Sequence, residues 1–222
     1  MLSIGLYDVM KRFRNYEGER WLRRDLIKLL TGKRPGAGTW RVLADITIEI
    51  DRGETVAILG RNGSGKSTLL KLMAGIIRPN AGRIVRNGTI GALLDIGAGF
   101  HDDLTGRENV ILDGAILGMS EEHLRAAMPA IVDFAELEGF METPLRFYSA
   151  GMRARLGFAT AMSADRDILL IDEVLAVGDE GFRRKCYARL DEIVRRGRTV
   201  VIVSHDVEAV REICDRGIWL CE

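Results

Sequence analysis

The chain has little of what would tie a protein to disulfides, to a bilayer or to nucleic acid. Its three cysteines, Cys186, Cys214 and Cys221, are odd in number and show no CxxC or metal-ligand spacing, which argues for a reducing compartment. Charge of one sign is not in excess, since 32 Lys and Arg face 32 Asp and Glu. No overall field therefore draws the chain onto nucleic acid or an anionic membrane, and an electrostatic partner has to be recognised locally. No apolar run approaches the roughly 20 residues a membrane helix needs. The opening MLSIGLYDVMKRFR has no basic segment before its short apolar run and carries Asp8 within it, unlike a secretory leader. There is no internal repeat of solenoid period. The expectation is a cytosolic chain whose 222 residues make one packed domain with a sizeable insert.

What is present is an alternation of buried strands with helices. VLADITIEI (42–50) places Ile46, Ile48 and Ile50 on one face at period two, as a half-buried strand does, while TVAIL (55–59) is apolar on both faces. DILLID (167–172) and TVVIVSH (199–205) share that doubly buried character, and GIWLC (217–221) has the composition of a further strand. Helical stretches separate them: KSTLLKLMAG, FRRKCYARLDEIVRR and DVEAVREIC. This order predicts an α/β fold with a mainly parallel sheet. Residues 97–163 break the rhythm and read mainly as helix, with EEHLRAAMPAIVDFAE the clearest case. They are expected to form a helical subdomain, leaving 1–96 and 164–222 as the core.

Between a predicted strand and a predicted helix stands GRNGSGKST, which matches G-x-x-x-x-G-K-[ST] with Gly60, Gly65, Lys66 and Ser67. Glycine allows successive backbone N–H groups to turn toward one centre. A helix N-terminus adds further unpaired N–H groups and a favourable dipole. The stretch Asn62, Gly63, Ser64, Gly65, Lys66, Ser67 and Thr68 is therefore expected to cradle a nucleoside triphosphate, with Lys66 reaching the outer phosphates and the Ser67 hydroxyl ligating magnesium. Asp172 and Glu173 follow ILLI at the carboxyl end of a buried strand, where open α/β sheets place their ligand crevice. Asp172 is the candidate magnesium ligand, through water, and Glu173 the candidate for orienting or deprotonating the attacking water. His205 ends another buried strand and is expected near the terminal phosphate.

YSAGMRARLGFATAM (148–162), followed by DILLIDEVLAVGD, resembles the signature region of ATP-binding cassette (ABC) ATPases. With the phosphate loop and His205, the resemblance spans nearly the whole chain. The family's leucine-serine-glycine-glycine-glutamine stands here as Tyr148, Ser149, Ala150, Gly151 and Met152. This wording, with GAGFHDDLTGREN and DEVLAVGD, is similar to the subgroup that exports O-antigen, capsule and teichoic-acid polysaccharides. The resemblance implies a RecA-like P-loop core with an ABC-type antiparallel β segment. It also implies a homodimer that holds two ATP molecules, Ser149 and Gly151 of one copy facing Lys66 of the other. Asp179 matches the loop that links the two sites, although a turn residue ahead of a helix reads the same way. The chain contains no glutamine, so Asp95 is the substitute for the family's magnesium-contacting glutamine. Tyr16 is preferred over Phe13 and Trp40 as the aromatic that stacks on adenine.

The implied protein is an ATPase working with Mg2+ at the cytoplasmic face of the membrane. Its implied partners are a second copy of itself and a membrane-spanning permease subunit, with lipid-linked polysaccharide as the indirect cargo and no nucleic acid. A nontransport ABC ATPase acting on ribosomes or DNA is the alternative, and an isolated nucleotide-binding regulatory module is a third reading. Residues 11–41 hold ten Lys or Arg against three acids, and WLRRDLIKLL within them sets Leu22, Leu26, Leu29 and Leu30 on one helical face. This insertion either meets the membrane subunit or lipid phosphates, or packs on its own sheet.

Overall fold

The computed structural model describes residues 1–14, 39–94, 96–172, 178–204 and 211–221. Its strands are β1 (Leu2–Arg14), β2 (Thr39–Asp51), β3 (Thr55–Gly60), β4 (Ala81–Arg86), β5 (Ile90–Leu93), β6 (Ile168–Asp172), β7 (Thr199–Val203) and β8 (Arg216–Leu220). The helices, renumbered along the described chain, are α1 (Lys66–Met73), α2 (Gly106–Ile116), α3 (Glu121–Ala135), α4 (Ala150–Met162) and α5 (Glu180–Arg195). A short 3-10 turn, Leu145–Phe147, precedes α4.

Two sheets result. One is antiparallel in the order β2-β1-β4, the other parallel in the order β5-β6-β7-β3-β8. Period-two burial explains why the interiors of β3, β6 and β7 are apolar. On β7, Val201 and Val203 pack on one face with Leu69, Leu70 and Met73 of α1 and with Ile4 and Leu6 of β1. Val200 and Ile202 pack on the other with Phe158 of α4 and Phe182, Cys186 and Leu190 of α5. A sheet covered on both faces favours apolar side chains on both, which is the pattern of β7 after Thr199. β6 repeats it with Leu170 facing α1 and Leu169 and Ile171 facing α4 and α5.

Helices α2, α3 and α4 enclose a core of their own around Val110, Leu124, Met128, Ile131 and Leu156. Helix α4 has a foot in each core: Phe158 faces the sheet, whereas Leu156 and Ala159 face α2 and α3. Helix α4 is thus the element shared by the helical block and the sheet. The expected strands at 42–50, 55–59, 167–172, 199–205 and 217–221 appear within a few residues of their predicted limits. Strands β4 and β5 were not expected. Each is short and surrounded by glycine, so the alternation that marks a strand has little room to show. The predicted helix at DVEAVREIC lies mostly outside the described residues.

Candidate phosphate site and its neighbours

The carboxyl ends of β3, β7 and β6 lie side by side, because β7 pairs in parallel with β3 on one flank and β6 on the other. From this edge β3 runs through Gly60 into α1. Gly60, Gly63 and Gly65 all take positive φ, at 152°, 87° and 98°, which a side chain rarely tolerates. At Gly65 a Cβ would also approach Leu43 Cδ2 to 2.9 Å and Val42 O to 3.2 Å. The loop thus closes tightly over β2 and opens its amides to the other side.

Helix α1 starts differently from the rest. Thr105, Ser120, Ser149 and Asp179 each cap α2, α3, α4 and α5 by accepting a hydrogen bond from a first-turn N–H. The N-cap of α1 is Gly65, with no side-chain cap and no acid in the first turn. Its leading N–H groups are therefore left for an external acceptor. Lys66 is 6% exposed, and its ammonium donates to the carbonyls of Gly60 at 2.9 Å and Arg61 at 3.0 Å. The neighbouring Ser64 hydroxyl is buried without a partner. Free amide donors, an orphaned hydroxyl and a buried cation suit a polyphosphate. Ser67 is exposed at the start of α1, and Thr68 follows, half-buried. Asn62 is exposed in the turn before them.

Asp172 ends β6 opposite Val203 of β7. Among the described residues no three His, Cys, Asp or Glu side chains gather as a metal cage. Magnesium does not need one, since it commonly uses one or two protein oxygens together with substrate phosphates and water. The hydroxyl of Ser67 and the carboxylate of Asp172 are hard oxygen donors of the required kind. Glu173, His205, Asp95 and Tyr16 lie outside the described residues.

A cavity of about 490 Å3 adjoins the loop, lined by Trp40, Val42, Leu43, Gly63, Ser64 and Leu220 among others. Trp40 is 71% exposed and stands opposite Phe13 in the β1–β2 register. Of the two described candidates for the adenine-stacking aromatic, Phe13 and Trp40, Trp40 is the one found in this wall.

The serine helix forms a separate site. Ser149 accepts from Met152 N at 3.1 Å, which leaves its own O–H free to donate. Ser149 and Gly151 share a cavity with Asp179, Arg155 and Glu136. Asp179 accepts from Phe182 N at 2.9 Å and pairs with Arg155. The Phe182 amide first, then the Arg155 charge, hold its carboxyl below the usual range. Arg155 also bonds Glu136 at 2.8 Å, and Lys185 reaches the same Glu136 at 3.1 Å. Asp179 is thus a helix cap and an ion-pair partner together. Arg155, which the sequence reading did not single out, joins the signature helix to the loop ahead of α5. An arginine at the sixth position of a helix carries no signal of its partner, because Glu136 and Asp179 are distant in sequence.

The two groups of residues line different cavities of one chain. Gly63 and Ser64 border the first, and Ser149, Gly151 and Asp179 border the second.

Comparison with known proteins agrees with this arrangement. The chain is 48% identical to the O-antigen export system ATP-binding protein RfbB of Myxococcus xanthus, over 99% of this chain and 52% of that protein. It is 40% identical to the teichoic acids export ATP-binding protein TagH of Listeria innocua, over 99% of this chain and 64% of that protein. The chain therefore spans between half and two thirds of the length of these relatives. A solved dimeric structure of the ATP-binding cassette MJ0796, bound to ADP and Pi after hydrolysis, superposes with a TM-score of 0.77 at 25% identity, covering 98% of this chain and 94% of that one. The family described as ABC transporter matches residues 43–176. That match takes in the phosphate loop, the serine helix and the end of β6, more than half of the sequence, and the chain belongs to the ABC transporter family.

Proposed function

We propose that the chain is an ATP-hydrolysing subunit that powers export of a lipid-linked polysaccharide through a separate membrane-spanning subunit. The observation that carries the catalytic part is the start of α1. It alone among the described helices longer than one turn lacks a side-chain cap, and it lies in a glycine cradle beside the buried Lys66. The polysaccharide part rests on relatives named for O-antigen and teichoic acid export. The need for a membrane partner rests on the described helices, none of which is long and apolar enough to cross a bilayer. Peripheral attachment at the cytoplasmic face, through that partner, is part of the same proposal.

In this reading the amides of Gly63 to Thr68 and the Lys66 ammonium bind the β and γ phosphates, and Trp40 offers its exposed ring to adenine across the neighbouring cavity. Trp40 is preferred in this proposal for its place in the wall, and Tyr16 lies outside the described residues. Ser67 and Asp172 hold magnesium, which neutralises phosphate charge. Glu173 orients or deprotonates the attacking water, His205 contacts the γ-phosphate, and Asp95 substitutes for the family's glutamine. Ser149 and Gly151 line a different cavity from the phosphate loop of their own chain, so they serve the loop of a second copy, with Asp179 between the two sites. ATP then joins two chains, and its hydrolysis releases them. We assign the motion to block 97–163, driven against a core of 1–96 and 164–222, with α4 as the common element.

The test is Glu173→Gln. It is expected to bind Mg-ATP normally while phosphate release falls by at least about 100-fold, the lower range for loss of a general base. Unchanged turnover refutes the assignment.

A further inference from the structure

At the amino ends of β6 and β7, the side of the sheet away from the phosphate loop, lies a cavity of about 200 Å3 with four arginines in its wall: Arg166, Arg189, Arg196 and Arg198. Apolar side chains, Met162, Leu169 and Ile193, complete much of the rest. We propose that this cavity is a second anion site, distinct from the ATP cradle, that takes a compact phosphate dianion, either free or carried on a small organic group.

The local charges are not all spent. Arg198 is consumed by Asp165 at 2.5 Å and Asp167 at 3.0 Å. Arg189 is consumed by Glu192 at 2.7 Å. Arg196 has no ion pair among the described residues. Arg166 donates from one terminal nitrogen to the carbonyl of Leu117, a neutral acceptor, and its Nε is buried without a partner. A buried guanidinium nitrogen lacking an acceptor is costly. Two guanidinium groups in one wall thus have no carboxylate partner among the described residues, and the four arginines exceed the three carboxylates engaged with them, Asp165, Asp167 and Glu192, by one charge.

Arginine near a helix C-terminus often serves the last carbonyls instead. Both α4 and α5 end at this cavity, but those carbonyls are already occupied. The backbone N–H groups of Arg196, Gly197 and Arg198 bond Glu192, Ile193 and Val194, and Ser163 and Ala164 bond Thr160 and Ala161. The guanidinium of Arg196 has no side-chain partner among the described residues and is free for another acceptor, with the other three arginines beside it, and a planar fork of this kind matches phosphate oxygens in pairs. A neighbouring cleft of about 390 Å3 shares Met162, Ser163 and Arg189 with the cavity, which gives room for an organic group attached to the phosphate. Occupation would have a structural reach, because Arg166 connects the strand β6 entry to Leu117 at the end of α2.

The experiment follows the arginine Nε–H signals of the full chain by NMR, with the ATP cradle filled by a non-hydrolysable Mg-ATP analogue throughout. Inorganic phosphate and glycerol 3-phosphate are titrated separately, and Arg196→Glu and Arg189→Ala are titrated beside the parent. The expected result is saturable shifts with at least one probe, weakened about tenfold or more in Arg196→Glu. The tighter of the two probes tells free phosphate from a phosphomonoester. Arg196 is exposed and unpaired, so its change leaves the fold intact, and unchanged melting temperature verifies this. No shift up to 10 mM, or equal affinity in parent and Arg196→Glu, overturns the proposal. Shifts that appear only in a parallel titration without the nucleotide analogue also overturn it, since the ATP cradle is then the site observed.

Discussion

Gly65 shows how much one residue carries here. It has φ of 98° and caps α1, and a methyl group in its place would press on Leu43 and Val42. Gly65→Ala is expected to cost on the order of 1 to 3 kcal/mol of stability, the range for a side chain forced into that backbone region, and to weaken ATP binding because the amides turn away. Chemical denaturation and nucleotide titration of the same variant check both. Lys66 is legible in the sequence because only a lysine between glycines and a helix makes sense of the pattern, and the structure gives it two carbonyl partners. Asp8 and Asp45 are less legible. Both take positive φ, at 53° and 52°, where β1 and β2 pair with shifted register. Aspartate tolerates that conformation better than most residues, but nothing in the strand pattern marks which aspartate will bulge.

Elements were readable where burial imposed a strict pattern. β3, β6 and β7 are covered on both faces, so their interiors are apolar throughout, polar residues are left to the strand ends at Thr55, Thr199 and Asp172, and the runs stand out. β4 and β5 are short and only half-buried, and their alternation is lost among glycines. The capped helices follow the same logic: Thr105 with Glu108 forms a reciprocal capping box, and Ser149 caps the signature helix. Ser149→Ala is expected to lose about 1 kcal/mol of stability from the missing cap and to lose ATP turnover by much more. Ser149→Thr, which keeps the cap, separates the two by restoring stability. A melting curve and a phosphate-release assay read them independently.

Asp113 on α2 makes a pH prediction. It is buried, and burial raises its carboxyl above the ordinary range, with the amide of Gly99 opposing the shift. The stability it contributes is fully present below the unfolded value of about 3.9 and is lost as pH rises through the higher folded value. Asp113→Asn stays neutral and keeps an oxygen for Gly99. Its melting temperature is expected to gain on the parent as pH rises above about 4 and then to level off. A difference independent of pH contradicts this.

The whole molecule has two half-sites that one chain does not join. The uncapped α1 cradle and the free hydroxyl of Ser149 border different cavities, and the pattern that located each motif in the sequence could not reveal their separation. A sequence also carries no trace of the Arg155 bridge from α4 to Asp179 and Glu136, since ion pairs across distant segments depend on the finished packing. In the proposed function these features make enclosure of ATP a property of two copies. The most direct measurement is light scattering of Glu173→Gln with and without Mg-ATP, beside the same variant carrying Ser149→Phe. The account predicts a mass that doubles on adding nucleotide and stays single when Ser149 is also replaced. A chain that binds ATP yet keeps its monomer mass would contradict it.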